Sequence, residues 1–176
     1  LPYTEEALNV FCLHVDQMQD VLGRQVLIEN PSSYLRYSHS SIGEPEFLCA
    51  VTQRTGCGIL LDINNVFVSA HNLGFDAIQY LNSIPSERVG EIHLGGHHDA
   101  HVKDEIIKID DHGSQVRPKV WNLYEQVIKR MGPKPTLIEW DSDVPALSVL
   151  LDEAKHADHY LSKTLQPLEG QYVSTG

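Results

Sequence analysis

Cations are scarce in this chain: 13 Lys and Arg stand against 24 Asp and Glu, giving a formal net charge of -11. A surface of that sign repels phosphate backbones and anionic membrane faces, so neither nucleic acid nor membrane is expected as a partner. Long apolar runs are missing too. No stretch approaches the roughly 18 consecutive apolar residues of a membrane span, and no charged-then-apolar opening segment reads as a signal peptide. Cysteine is sparse, with Cys12, Cys49 and Cys57 spread without a C-x-x-C spacing. That pattern excludes a disulfide framework or a structural zinc site and points to buried thiols in a reducing, cytoplasmic setting. No G-x-G-x-x-G follows the first apolar run, so a dinucleotide-binding fold has little support. What remains is ordinary: 176 residues, 41% hydrophobic, enough for one globular domain with a substantial core. The first residue is Leu1 and not Met, which leaves the amino terminus processed, truncated or not shown.

Along the chain, helical and strand-like stretches alternate. Leu8, Phe11, Val15, Met18 and Leu22 recur near helical spacing over 4–22, with Glu5 and Glu6 in the first turn and Gly23 as the stop. A short apolar strand over 25–29 ends at Asn30-Pro31, and a serine-rich loop follows over 32–42. Residues 44–55 read as a helix, 59–63 as a strand, 76–82 as a helix and 89–94 as a third strand. The histidine-rich stretch 95–103 reads as a loop. A weaker, alternating strand covers 105–109, an amphipathic helix 116–131, a fifth strand 136–140, and a last helix opens near Pro145. Strands alternating with helices predict parallel strands joined by right-handed crossovers. The expected fold is therefore α/β, either an open doubly wound sheet or a (β/α)8 TIM barrel. The barrel is favoured, with about five βα units present and about three amino-terminal strands lacking, since some 200–250 residues are usual. Residues 1–165 are assigned to this one domain and 166–176 to a flexible tail.

The five strand ends carry the chemistry. Each apolar run finishes on a carboxylate or imidazole: Glu29, Asp62, His93, Asp110 and Glu139. One such residue is more often a helix cap or an ion-pair partner. Five in register are harder to explain that way, because buried carboxylates need compensating charge and the basic residues lie elsewhere in the sequence. A bound cation is the economical partner, and a set mixing Glu, Asp and His suits iron, manganese or zinc. Ligands in both barrel and doubly wound folds gather at this carboxyl-terminal edge. Asp110 and His112, two residues apart, would share a face if the segment is extended, with Asp111 turned away.

The runs Leu27-Ile28-Glu29-Asn30-Pro31, Leu61-Asp62-Ile63-Asn64-Asn65, Glu91 to His97, Ile109-Asp110-Asp111-His112 and Leu137-Ile138-Glu139-Trp140-Asp141 together resemble the MbnB-like family, domain-of-unknown-function family 692. That family is similar to the xylose isomerase-like and endonuclease IV-like TIM barrels, and the resemblance runs from about residue 24 to 165. It implies a barrel with two or three metal ions, iron first and zinc or manganese as alternatives, at its carboxyl-terminal mouth. It implies an oxidoreductase that uses dioxygen to modify cysteine residues of a ribosomally made peptide, as in methanobactin maturation, with a partner protein holding the peptide. Carried over by motif, Glu29 would bridge metals, Asp62, His93 and Glu139 would hold one, and Asp110, His112 and Asn65 another. The family's first two ligand histidines have no counterpart here, and Gly113 stands where an acidic residue is more usual. Asp141, sharing a strand face with Glu139, is the candidate general base, with helix capping as the competing role. Asn30, Asn64, His97 and His98 are expected to support the ligands or touch substrate. The alternative reading is a metal-dependent hydrolase or isomerase, phosphodiesterase-like, on the same barrel. Homo-oligomerisation is left open.

Overall fold

A computed structural model describes residues 1–165; the tail assigned to 166–176 lies outside the described residues. The first helix, α1 (Glu5–Leu22), opens where the Thr4 side chain accepts from the Ala7 N–H and closes on Gly23 with φ 64°. That cap leaves Leu8, Cys12 and Val15 buried on one face. After β1 (Leu27–Glu29) and the serine-rich loop comes α2 (Glu44–Thr55), with Pro45 in its first turn and Gly56 in the left-handed region at its end. Strand β2 (Gly58–Asp62) passes directly into α3 (Ile63–Leu73). A short α4 (Ala77–Ser83) precedes β3 (Val89–Gly95). Next come β4 (His97–Val102), β5 (Glu105–Asp110), α5 (Pro118–Met131), β6 (Thr136–Glu139) and α6 (Leu147–Leu165).

Four of the strands form one parallel sheet in the order β1-β2-β3-β6. With the helices packed on its outer side this is a partial TIM-barrel-like α/β fold. Ile59, Leu61, Ile92 and Leu94 are completely or almost completely buried in the sheet, and Phe47, Val51, Val120, Tyr124 and Ile128 meet them from the helices. The near-continuous apolar run of β2 is what a strand covered on both faces requires. The ladder places Glu29 beside Leu60, Asp62 beside His93, and Gly95 beside Glu139. The polar end therefore steps forward two residues from Glu29 to Asp62 and again from His93 to Glu139, while Asp62 and His93 stand level, a net stagger in the sense of tilted barrel strands. No helix among the described residues is long and apolar enough to cross a membrane.

Two expectations from the sequence are corrected. Residues 105–110 do not join the parallel sheet. They pair antiparallel with residues 97–102, read above as loop, to form a separate two-stranded hairpin. The reason is length: a parallel crossover needs a dozen or more residues, and only a tight turn at Lys103 and Asp104 separates β4 from β5. The second correction is α3, which the sequence reading passed over. Its onset is Asp62 itself, whose side chain accepts from the Asn65 N–H at 2.7 Å, so one residue ends a strand and caps a helix.

Candidate metal centre

The parallel ladder delivers four polar ends to one place. Single ligand-type atoms from Glu29, Asp62, His93 and Glu139 all lie within 4.8 Å of one another, and a second group joins His112, Glu139 and Asp141 on the same criterion. Glu139 belongs to both groups. A ring nitrogen of His93 sits 3.0 Å from Glu139 Oε2, and its other nitrogen is 3.5 Å from Glu91. His112 Nδ1 lies 3.5 Å from Glu139 and 3.4 Å from Asp141. Its Nε2 is 2.8 Å from Asp110 Oδ1, a close ion pair that lacks the alignment of a hydrogen bond.

Asp110 and His112 thus meet each other, by a route different from the one expected. His112 has φ 44°, so the segment is not extended; a left-handed residue folds the imidazole back over Asp110. Gly95 makes room for it. A Cβ there would lie 2.6 Å from His112 Cδ2. Asp111 turns outward, as expected, and its carboxylate binds His98 Nδ1 at 2.8 Å.

The asparagines hold this arrangement. Asn30 donates to the Asp62 carbonyl and accepts from the Asp62 N–H, tying β1 to β2 at the level of the site. Asn65 donates to Glu29 and to the Asn30 carbonyl, which leaves its Oδ1 buried without a partner. Asn64 donates to Asp110 and to the Gly96 carbonyl. Its amide oxygen then faces His97 Nδ1 at 2.7 Å, so that nitrogen carries the proton. His97 is buried against Phe67, whereas His98 is exposed.

Titration follows from this crowding. Burial raises the Glu29 carboxyl, with Glu139 adding to the effect. Burial pushes Asp62 up to about 8, despite the Asn65 N–H. Asp110 holds the His112 imidazolium up to about 9, against the opposing effect of burial. His97 goes the other way, down to about 4, through burial and then the nearby Lys108 and Arg117. Oδ2 of Asp62, Oδ1 of Asn65 and Nε2 of His112 are all buried without a hydrogen-bond partner. Buried polar atoms are rarely left so. One carboxylate, one amide and one imidazole orphaned in this way, beside Glu29, His93, Glu139 and Asp141, suit one or more hard or borderline cations.

Sequence reasoning missed the supports that come from loops and helix starts. Tyr34, in the serine-rich loop, accepts from the Asp110 N–H through its hydroxyl at 3.0 Å. The His97 carbonyl accepts from Arg117 and Ser114. Glu44 clamps Tyr3 and Tyr80, each at 2.6 Å. None of these carries a motif; each depends on where the folded chain brings a hydroxyl or guanidinium.

Fold and site together define a partial TIM-barrel-like α/β protein that gathers residues able to hold a metal ion at the carboxyl-terminal edge of its parallel strands. The chain belongs to the MbnB/TglH/ChrH family of RiPP precursor modification enzymes, whose family model matches residues 1–162. It is 54% identical over 168 residues to a UPF0276 protein of Vibrio parahaemolyticus, covering 96% of this chain and 58% of that relative. A UPF0276 protein of Paraburkholderia phytofirmans is 50% identical over 160 residues, covering 90% of this chain and 52% of its own length. One from Rhizobium meliloti is 46% identical over 164 residues, covering 93% and 53%. The chain therefore spans between half and three fifths of the curated relatives it matches.

Proposed function

We propose that this chain carries much of the metal centre of an enzyme that oxidises cysteine residues in a ribosomally made precursor peptide, with a partner protein presenting the peptide. The observation that supports it is the meeting of Glu29, Asp62, His93 and Glu139 within 4.8 Å at the strand ends, in a family of RiPP precursor modification enzymes. Two or three iron ions would be held by these four residues together with Asp110, His112 and Asn65, Glu29 bridging. Bound iron would relay electrons from the oxidised cysteine to dioxygen, which accepts them with the protons the peptide loses, and would act as a Lewis acid for the thiolate.

The protein's own part is orientation and proton control. Glu139, near both His93 and His112, couples the two ligand groups, so moving either imidazole disturbs the other. Asp141 is 66% exposed at its side chain, and its backbone N–H donates to the His112 carbonyl at 2.8 Å. That position lets it take a proton from an incoming peptide while staying fixed to the site, which is the role of a general base. His97, Asn64, Asn30 and His98 hold the ligands from behind or meet the substrate.

The deciding experiment is metal analysis of the full-length protein, followed by mass spectrometry of cysteine-containing peptides co-expressed with it and its genomic neighbour. More than one metal ion per chain and a loss of hydrogen from the peptide are expected. A protein with no more than one bound metal, or peptides of unchanged mass, would sink this reading.

A further inference from the structure

The β4–β5 hairpin has two outer edges, and they are treated differently. On β5 the outward backbone groups are at Ile106, Lys108 and Asp110, because the Lys108 N–H and carbonyl both bond the Asn72 side chain at 2.9 Å. The Ile106 carbonyl is met by His71 and the Asp110 N–H by Tyr34. Side chains therefore take four of the six outward groups on that edge.

On β4 the residues opposite these are His101, Asp99 and His97. They share the alternation of their partners, so their N–H and carbonyl groups also point away from the hairpin. Among the described residues only the His97 carbonyl is taken, by Ser114 and Arg117. Among the described residues the outward groups of Asp99 and His101 bond nothing, and both residues are exposed. Exposed edges are commonly blunted by proline, a bulge or a covering element. β4 pairs in continuous register with β5 and contains no proline.

We infer that the outer edge of β4 docks an extended segment of the peptide substrate as an added strand. This rests on the reading that the substrate is a peptide. Continuity with the candidate metal centre argues for that occupant. From Asp99 the edge runs to His97 and His98, about 7 Å further along a strand, and His98 is bonded to Asp111, between Asp110 and His112. A peptide pairing at Asp99 and His101 is thereby led toward the strand ends, and main-chain pairing holds it without demanding one sequence. A second copy of the chain suits this edge poorly. Antiparallel edge-to-edge pairing about Asp99 would set that carboxylate against its own copy, in a chain of net charge -11.

The test uses the full-length, metal-loaded protein, an array of short synthetic cysteine-containing peptides, and amide hydrogen exchange. The best-binding array peptide is expected to slow exchange at the Asp99 and His101 amides about tenfold or more. Asp99→Ala, which loses the same side chain and its pairing with Lys108 but keeps the N–H, is the reference against which Asp99→Pro is measured. Asp99→Pro removes one outward donor without touching the β4–β5 ladder, and should weaken binding about tenfold. Should Asp99→Pro fail to fold, the exchange data on the unsubstituted protein decide. The inference is overturned if no array peptide binds, or if a peptide binds or is oxidised while both amides stay fast. Protection that grows with protein concentration and without peptide overturns it in favour of a second copy. Peptides that bind along the edge and never lose hydrogen would instead leave the docking edge standing and remove the oxidation reading.

Discussion

The side-chain amide of Asn64 donates to Oδ1 of Asp110 at 2.7 Å, across 46 residues of sequence. The same amide presents its oxygen to His97, so one residue at the start of α3 fixes both the hairpin's last carboxylate and a buried imidazole. Asp110 in turn faces His112. Asn64 is thus the joint between the parallel sheet and the hairpin at the level of the site.

Replacing that joint should loosen the His112 side of the centre. Asn64→Ala is expected to lower affinity for the metal bound by Asp110 and His112 about 10- to 100-fold, the usual effect of losing a residue that orients a ligand. Metal titration by calorimetry, with circular dichroism to confirm the fold, checks this. Unchanged affinity would assign Asn64 to packing alone.

Metal binding should be coupled to pH with a definite sign. In the metal-free protein Asp62 titrates near 8 and His112 near 9, so both carry a proton at neutral pH. Each must lose it to act as a ligand, so affinity rises with pH and binding near pH 7 releases about two protons. Calorimetry in buffers of different ionisation enthalpy counts them. Stability follows the same sign. Asp62 is raised above its unfolded value of 3.8, so the folded protein holds the extra proton and stability falls as pH rises from there through about 8. The stabilisation from His112 is complete below about 6.5 and is lost through about 9. Metal-free protein should therefore melt lower at pH 9 than at pH 6, with metal addition abolishing the difference.

At acid pH the pattern reverses, and His97 is the cause. Its folded value of about 4 lies below its ordinary 6.5, so the unfolded chain takes up a proton that the fold refuses. Its contribution to stability is lost as pH falls from 6.5 through 4. Urea denaturation of His97→Asn should show a shallower loss of stability between pH 6.5 and 4 than the unsubstituted protein. An equal slope would place the acid sensitivity elsewhere.

Gly95→Ala tests the space behind His112. The new Cβ would meet the imidazole ring at 2.6 Å, and His112 would have to leave its position over Asp110. Reduced metal content with a retained fold is expected, and a double substitution Gly95→Ala/His112→Ala should be no worse than His112→Ala alone.

Far from the strand ends, Tyr80→Phe removes one of two hydroxyls donating to Glu44. The half-buried Glu44 carboxylate would lose a charge-assisted bond, and a loss of about 1.5 kcal/mol in denaturant unfolding is expected. Tyr3→Phe removes the other. Because both hydroxyls share one acceptor, the two losses should not add.

The sequence by itself determined the parallel strands and what stands at their ends. Apolar runs such as Ile59-Leu60-Leu61 are buried on both faces wherever they fold, so Asp62 and its counterparts Glu29, His93 and Glu139 had to fall at the same edge once helices separated the strands. Tertiary structure alone decided how they meet. The register of neighbouring strands, two residues forward from Glu29 to Asp62 and from His93 to Glu139 but level at Asp62 and His93, sets which side chains meet. The hairpin reversal at Lys103 and Asp104 takes Asp110 out of the sheet, and the left-handed backbone at His112 turns it back toward the sheet's edge. Those outcomes depend on contacts tens of residues apart, Asn64 with Asp110, Tyr34 with the Asp110 N–H, Gly95 with the His112 ring. No local periodicity encodes them, because each is fixed by which surfaces the packed helices and strands bring into reach.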